Sequence, residues 1–334
     1  MENNRAGFLM EQVPTHVDAV EGIHTNNTLT YIPNLRSLYS VTLDDLLSRD
    51  IPPQEMFLSP ILPKQGLAML AAWRGIGKTH FALGIAYALA CGSSFLKWYA
   101  PKPVRVLLVD GEMPATALQK RFAQIVSDNT QEPPAPDYLR IITPDFQEFG
   151  IPDLATTEGQ NILEDHVAGA DVIILDNLST LCRGGKENEG ESWLPVQEWA
   201  LGLRKRGKTV LFIHHTGKNG LQRGTSRRED VLDTVITLKR PNDYDSSQGA
   251  RVEVHYEKAR GVFGDDAEPF EAWLKTENGQ SRWEMVDLKD ADLERVIELA
   301  KDGIKQREIA DELGTSKSRV NRLLKKAKEM GRLS

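Results

Sequence analysis

The run Gly66–Ala90, GLAMLAAWRGIGKTHFALGIAYALA, decides how the rest of the chain is read. Its first part, Leu67–Ala72, is apolar, too short for a free-standing helix and bounded by Gly66, which predicts a buried strand. Trp73, Arg74, Gly75, Ile76 and Gly77 follow, then Lys78, Thr79 and His80. From there an Ala- and Leu-rich run to Ala90 predicts a helix buried on most sides. Strand, glycine loop, Lys-Thr and helix together make the pattern of a phosphate-binding P-loop. Gly75 and Gly77 let the backbone wrap closely, so that its N–H groups face phosphate oxygens. In that pattern Lys78 reaches the β- and γ-phosphates, Thr79 offers its hydroxyl to Mg²⁺, and the helix N-terminus adds partial positive charge. The residues expected around the nucleotide are Gly75, Ile76, Gly77, Lys78, Thr79 and His80. The pattern departs at one position: the first glycine of G-x-x-x-x-G-K-[ST] is Ala72 here, and Gly75 supplies the flexibility instead. A chance Gly-Lys-Thr before a helix is the bland alternative, and the flanking elements weigh against it. The expected ligands are ATP and Mg²⁺.

At 334 residues the chain is long enough for one large α/β domain and a small appendage. A composition 40% hydrophobic and 27% charged is that of an ordinary globular protein. Cys91 and Cys182 are far apart and lack metal-ligand spacing, which fits a reducing cytoplasm. No apolar run has transmembrane length, and MENNRAGFLMEQ lacks the basic-then-apolar pattern of a secretion signal. The expectation is a cytoplasmic protein with no membrane contact. A net charge of −7 argues against a uniformly basic nucleic-acid protein but allows a local basic patch.

Residues 1–55 are weakly periodic and broken by Asn26, Asn27, Pro33 and Pro52-Pro53; we read them as an arm or linker. Only VTLDDLLS, Val41 to Ser48, suggests a short helix, with Thr42 as N-cap. Residues 56–287 carry the main domain. Strands are expected at Val104 to Val109, Val172 to Leu175, Val210 to Ile213, Val231 to Lys239 and Ala250 to Lys258. Helices are expected at Pro114 to Val126, with Leu118, Phe122 and Ile125 on one face, and at Trp193 to Lys205. Buried strands alternating with helices indicate a mostly parallel sheet covered on both faces. Ligand groups should cluster at the carboxyl ends of its strands. There Asp176 ends VIIL as the natural Mg²⁺-holding carboxylate beside Thr79. Glu112, after VLLVDG, could orient or deprotonate the water that attacks the γ-phosphate. Asp110 is the competing acid, and a helix-terminal acid is the bland reading of Glu112. His214 and His215 end a third strand as a structural pair, a metal-binding pair lacking a third ligand, or groups facing the nucleotide.

The ordered set AxxGxGKT, VLLVDGEMPATALQKR, VIILDNLSTL, LFIHHTGK and VEVHYEKARG resembles the RecA-like ATPases of the hexameric replicative helicase group. The plasmid RepA type is the nearest and the DnaB type more distant, and the likeness covers roughly residues 56–264. It implies a RecA-like P-loop NTPase core in which Glu112 is the catalytic glutamate. It also implies that His215, seconded by His214, senses the γ-phosphate. Lys258 and Arg260, in Lys-Ala-Arg-Gly, would then complete a neighbouring subunit's site as a trans element. Arg223 competes with Arg260 for that role. A solvated basic strand end is the plain alternative. The resemblance further implies a homo-oligomer, a hexamer, with single-stranded DNA in its channel. The loops Arg183 to Glu191 and Lys218 to Arg228 are the channel candidates, through Lys186, Lys218, Arg223 and Arg227.

Residues 288–334 change to an all-helical pattern. Gln306 to Leu323 fits a helix-turn-helix, with Ala310 at the crossing and Gly314 in the turn. Thr315 or Ser316 caps the second helix, and Val320 and Leu323 pack it inward. Lys317, Arg319, Asn321 and Arg322 face outward, suited to duplex DNA. A protein-docking module with a solvated basic face is the alternative. Two functions follow: an oligomeric DNA-dependent ATPase, most simply a hexameric replicative helicase of a plasmid, phage or mobile element, or an ATP-switched DNA-binding regulator or partition-type factor that does not unwind.

Overall fold

The computed structural model describes residues 40–183, 193–216, 229–277 and 280–333. Apolar runs bounded by glycine, proline or polar pairs become its strands, and the longer amphipathic runs its helices. In chain order these are α1 (Leu43–Ser48), β1 (Met56–Leu58), β2 (Leu62–Pro63), β3 (Leu67–Ala72), α2 (Lys78–Cys91), β4 (Ser94–Phe95), β5 (Trp98–Tyr99), β6 (Val106–Asp110), α3 (Ala115–Asp128) and β7 (Leu139–Ile142). There follow α4 (Thr157–Ala168), β8 (Val172–Asp176), α5 (Leu178–Leu181), α6 (Leu194–Lys205), β9 (Thr209–His215), β10 (Thr234–Lys239), β11 (Arg251–Ala259), β12 (Phe270–Glu277), β13 (Gln280–Asp287), α7 (Leu288–Lys301), α8 (Gln306–Glu312) and α9 (Lys317–Glu329).

The chain divides into two units, Met1–Pro52 and Pro53–Ser334. In the first, α1 begins at the expected Thr42 cap. The Thr42 hydroxyl accepts the Asp45 amide at 3.1 Å, and the Asp45 carboxylate accepts the Thr42 amide in return. The helix buries none of its residues.

The second unit is built on a nine-stranded sheet in the order β13-β12-β11-β10-β3-β9-β8-β6-β7 among the described residues. The six strands from β10 to β7 are parallel, and β11, β12 and β13 are antiparallel additions. The core is therefore the expected mixed α/β arrangement with a mostly parallel sheet. In β3, Ala68, Leu70 and Ala72 face one core while Leu67, Met69 and Ala71 face the other. Burial on both faces is why the strand reads as an unbroken apolar run. Helix α2 lies in the first core with nearly every side chain buried. Its Phe81 ring meets Phe95 edge-on at 5.4 Å and Trp283 at 5.0 Å.

Several expected bounds move for physical reasons. β10 starts at Thr234 rather than Val231, because the Asp233 carboxylate turns inward to accept the Leu67 amide at 3.0 Å. The edge strand β7, helix α4 and the hairpin β12–β13 were not anticipated. β7 and β13 present mostly half-buried or exposed side chains, so they carry little apolar signal.

The C-terminal helices pack around Val296, Ile309, Ala310, Val320 and Leu324. Leu324, not Leu323, supplies the buried second contact of α9, and Leu323 lies at the margin. Ser316 is the cap: its hydroxyl accepts the Arg319 amide at 3.2 Å. Gly314 turns the chain at φ 57, the left-handed conformation that favours glycine.

Candidate nucleotide-binding site

The topology brings the carboxyl ends of β3, β6, β8 and β9 to one edge of the sheet. The loop after β3 turns through Gly75 (φ 75) and Gly77 (φ 120), conformations that side-chain-bearing residues rarely adopt. A Cβ at Gly75 would meet nothing within 4 Å, so backbone conformation rather than space selects glycine there. Gly77 caps α2, and by helix geometry the first amides of α2 have no carbonyl one turn back. They open on a cavity of about 450 Å³ lined by the loop, Thr79, His80, Glu112, Asp176 and His215, among others.

Lys78 is buried, and its ammonium donates to the Ala72 and Trp73 carbonyls at 3.1 and 3.0 Å. Burial pushes its pKa down to about 8, with Asp176 and Glu112 acting against that shift and Arg74 adding to it. Asp176 is 4% exposed. Burial and the neighbouring Asp110 carboxylate push its pKa up to about 7, against the Thr79 hydroxyl bond and the Lys78 charge. Its Oδ2 is buried without a hydrogen-bond partner. Burial also pushes the His80 imidazole down to about 4, and the charge of Arg121 adds to that.

Asp110 lies opposite Asp176 in the β6–β8 register. Its Oδ1 accepts the amides of Glu112 at 2.9 Å and Met113 at 2.6 Å, so it shapes the turn that presents Glu112. The Glu112 carboxylate accepts the side-chain amide of Asn177 at 2.6 Å and lies 3.7 Å from His215 Nε2. Burial, and then the Lys78 charge, hold the His215 pKa below its ordinary value, while Glu112 pulls the other way. His214 alternates to a buried position off the cavity.

Several lining residues carry no site assignment from the sequence, among them Asn177, Arg121, Arg240 and Tyr244. Asn177 caps α5 with its Oδ1 while its amide holds Glu112. The Arg121 guanidinium, from α3, lies against Met113 Sδ at 3.2 Å. Arg240 donates to the Gly75 carbonyl at 2.9 Å and stacks on Tyr244 at 3.5 Å. Asn177 was legible as the polar residue directly after Asp176; Arg121 and Arg240 come from distant elements and carry no local signal.

Lys258 and Arg260 are not brought to this cavity. β11 runs antiparallel to β10, which places its end at the opposite edge of the sheet. There Lys258 donates to the Glu229 and Asp230 carbonyls, and Arg260 lies 3.6 Å from Asp233. On α9, Lys317, Arg319, Asn321 and Arg322 are all exposed, and Arg319 pairs with Asp292 at 2.5 Å. Lys186, Lys218, Arg223 and Arg227 lie outside the described residues.

The donor set fits Mg²⁺: a buried carboxylate oxygen lacking a partner stands beside a hydroxyl, with hard oxygen ligands of the kind that ion takes. No helix among the described residues is long and apolar enough to cross a membrane.

A family model described as an AAA domain matches residues 33–221, and one described as a homeodomain-like domain matches residues 287–334. No curated protein matches the chain. Among solved structures, it is similar to the flagellar accessory protein FlaH from Methanocaldococcus jannaschii, at 12% identity and TM-score 0.45, over 67% of this chain and 92% of that one. It is likewise similar to a KaiC-like protein from Pyrococcus horikoshii OT3, at 14% identity and TM-score 0.45, over 68% of this chain and 93% of that one.

Proposed function

The chain belongs to the AAA domain family, and from that premise we propose that it is an oligomeric, DNA-dependent ATPase of the cytoplasm. We take residues 1–55 as an arm, 56–287 as the ATPase domain and 288–334 as the DNA-binding domain. The observation that carries the reading is the convergence of Lys78, Thr79, Asp176, Glu112 and His215 on one cavity. Lys78 and the first amides of α2 hold the triphosphate. Asp176 and Thr79 would hold Mg²⁺, which when bound would supply neutralisation of the phosphate charge. Glu112, fixed by Asn177, accepts the proton of the attacking water. His215, in contact with Glu112, reports the state of the γ-phosphate.

The position of Lys258 and Arg260, at the sheet edge remote from their own P-loop, suits a role in a neighbour's site. That favours a homo-oligomer, for which the sequence resemblance suggests a hexameric helicase with single-stranded DNA in its channel. The exposed basic face of α9 suits duplex DNA. A second reading, the ATP-switched regulator, is favoured by the packing of the helix-turn-helix into the same compact unit as the ATPase core. The deciding experiment is ATP hydrolysis with and without single-stranded DNA, alongside forked-duplex separation. Stimulation and ATP-driven unwinding support the helicase; hydrolysis with duplex binding and no unwinding supports the regulator.

A further inference from the structure

Residues 240–250, which join β10 to β11, touch the nucleotide cavity on one side and the helix-turn-helix on the other. On the inner side Arg240 donates to the P-loop carbonyl of Gly75 at 2.9 Å and to Gly249 at 3.0 Å. Its guanidinium covers the Tyr244 ring, and the Tyr244 hydroxyl donates to Gly249 at 3.0 Å. Arg240, Tyr244, Gly249 and Ala250 all line the cavity. On the outer side, the Asn242 amide donates to the Leu313 carbonyl at 2.9 Å, where α8 ends. The approach is close: a Cβ at the next residue, Gly314, would lie 2.6 Å from Asn242 Nδ2.

The following residue, Asp243, is bound differently. It accepts from Arg251 at 3.1 Å and from Arg295 of α7 at 2.9 Å, and Glu271 binds both arginines. Arg251, Arg295 and Glu271 are nearly buried, so taking this cluster apart would leave charges without partners in a poorly solvated place. The Asn242–Leu313 bond, by contrast, is single, neutral and exposed. The helical module is thus rooted through α7 and only lightly tied through its turn.

We propose that the 240–250 segment couples the nucleotide cavity to the helix-turn-helix, so that nucleotide binding resets α8, the turn and α9 while α7 stays fixed. The proposal rests on the nucleotide-binding reading above. A bound nucleotide competes with the Gly75 carbonyl for the Arg240 guanidinium, which prefers an anionic partner. Movement of Arg240 shifts Asn242, two residues on, and with it the bond that holds the end of α8. The turn that α8 forms with α9 sets where the basic helix stands. Coupling is reciprocal, so duplex binding changes nucleotide affinity by the same factor.

The test uses the full chain with ATPγS and Mg²⁺. Calorimetric titration measures binding, and hydrogen–deuterium exchange on the same samples follows 306–329 and 288–301. Asn242 is exposed, so Asn242→Ala is expected to fold and to bind ATPγS as wild type does. The expected result is an exchange change of about fivefold in 306–329 of the wild type, none in 288–301, and its loss in Asn242→Ala. Binding with no change in 306–329, or a full response in Asn242→Ala, overturns the coupling and leaves the site intact. Absence of ATPγS binding overturns the nucleotide reading beneath it as well.

Discussion

Replacing Asn177 separates the catalytic geometry from the fold. Asn177 is 2% exposed and does two things: its Oδ1 caps α5 by accepting the Ser179 and Thr180 amides, and its Nδ2 donates to Glu112 at 2.6 Å. Loss of a cap costs about 1 kcal/mol. Loss of a hydrogen bond to a charged group costs about 1.5–3 kcal/mol, and because the Glu112 side chain is 60% exposed, solvent screening reduces that to about 1–2 kcal/mol. If the bond serves to aim Glu112 at the attacking water, the cost appears in kcat as a fall of about 5- to 30-fold. Asn177→Ala should lose both contributions, lowering kcat by that factor and the melting temperature by about 2–4 °C. Asn177→Ser keeps a capping hydroxyl but is too short to reach Glu112. It should melt close to wild type and share the loss in kcat, with KM for ATP little changed. Steady-state hydrolysis with thermal unfolding reads all of this. A Ser variant with wild-type kcat would show that Glu112 needs no such positioning and would remove it from the role assigned here.

Other substitutions test the fold and the DNA face. Gly84→Ala drives a methyl group into the Phe95 ring, and thermal unfolding should report a loss of about 1–3 kcal/mol. Tyr256→Phe leaves the indole N–H of fully buried Trp98 without its acceptor, a cost of about 1–3 kcal/mol. Burial holds the Tyr256 phenol up to about 12 against an ordinary 10. Its contribution is therefore complete below pH 10 and fades as pH rises toward 12, so alkaline melting curves of wild type and variant should converge in that window. On α9, Arg322→Ala should weaken duplex binding and reduce the salt slope by about one, measured by anisotropy at several salt concentrations. Arg319→Ala should cost less, because Asp292 already neutralises that guanidinium.

The P-loop and the strands beside it were legible because burial on both faces leaves unbroken apolar runs, each ending in a polar residue that the topology then aims at one edge. Asp176, Glu112 and His215 stand at such strand ends, and the structure places all three on the lining of one cavity. Asn177 stood in plain view but reads as an ordinary helix cap until the Glu112 side chain is seen against it. Arg240 and Tyr244 sit in a polar loop whose sequence gives no sign that it folds back over Gly75. The hairpin β12–β13 escaped notice for a related reason. β13 is largely exposed, so the alternation that marks a half-buried strand is weak there. In the helix-turn-helix, the spacing from Val320 to Leu324 is one full turn, and choosing Leu323 missed the buried face by one residue.

The most direct test of the central claim is single-turnover ATP hydrolysis by wild type and Glu112→Gln, with Mg²⁺ and with ATP affinity measured in parallel. The account predicts that both bind ATP with similar affinity and that the Gln variant hydrolyses it about a hundredfold more slowly or worse. Hydrolysis by Glu112→Gln at the wild-type rate, or none by the wild type with and without DNA, would contradict it.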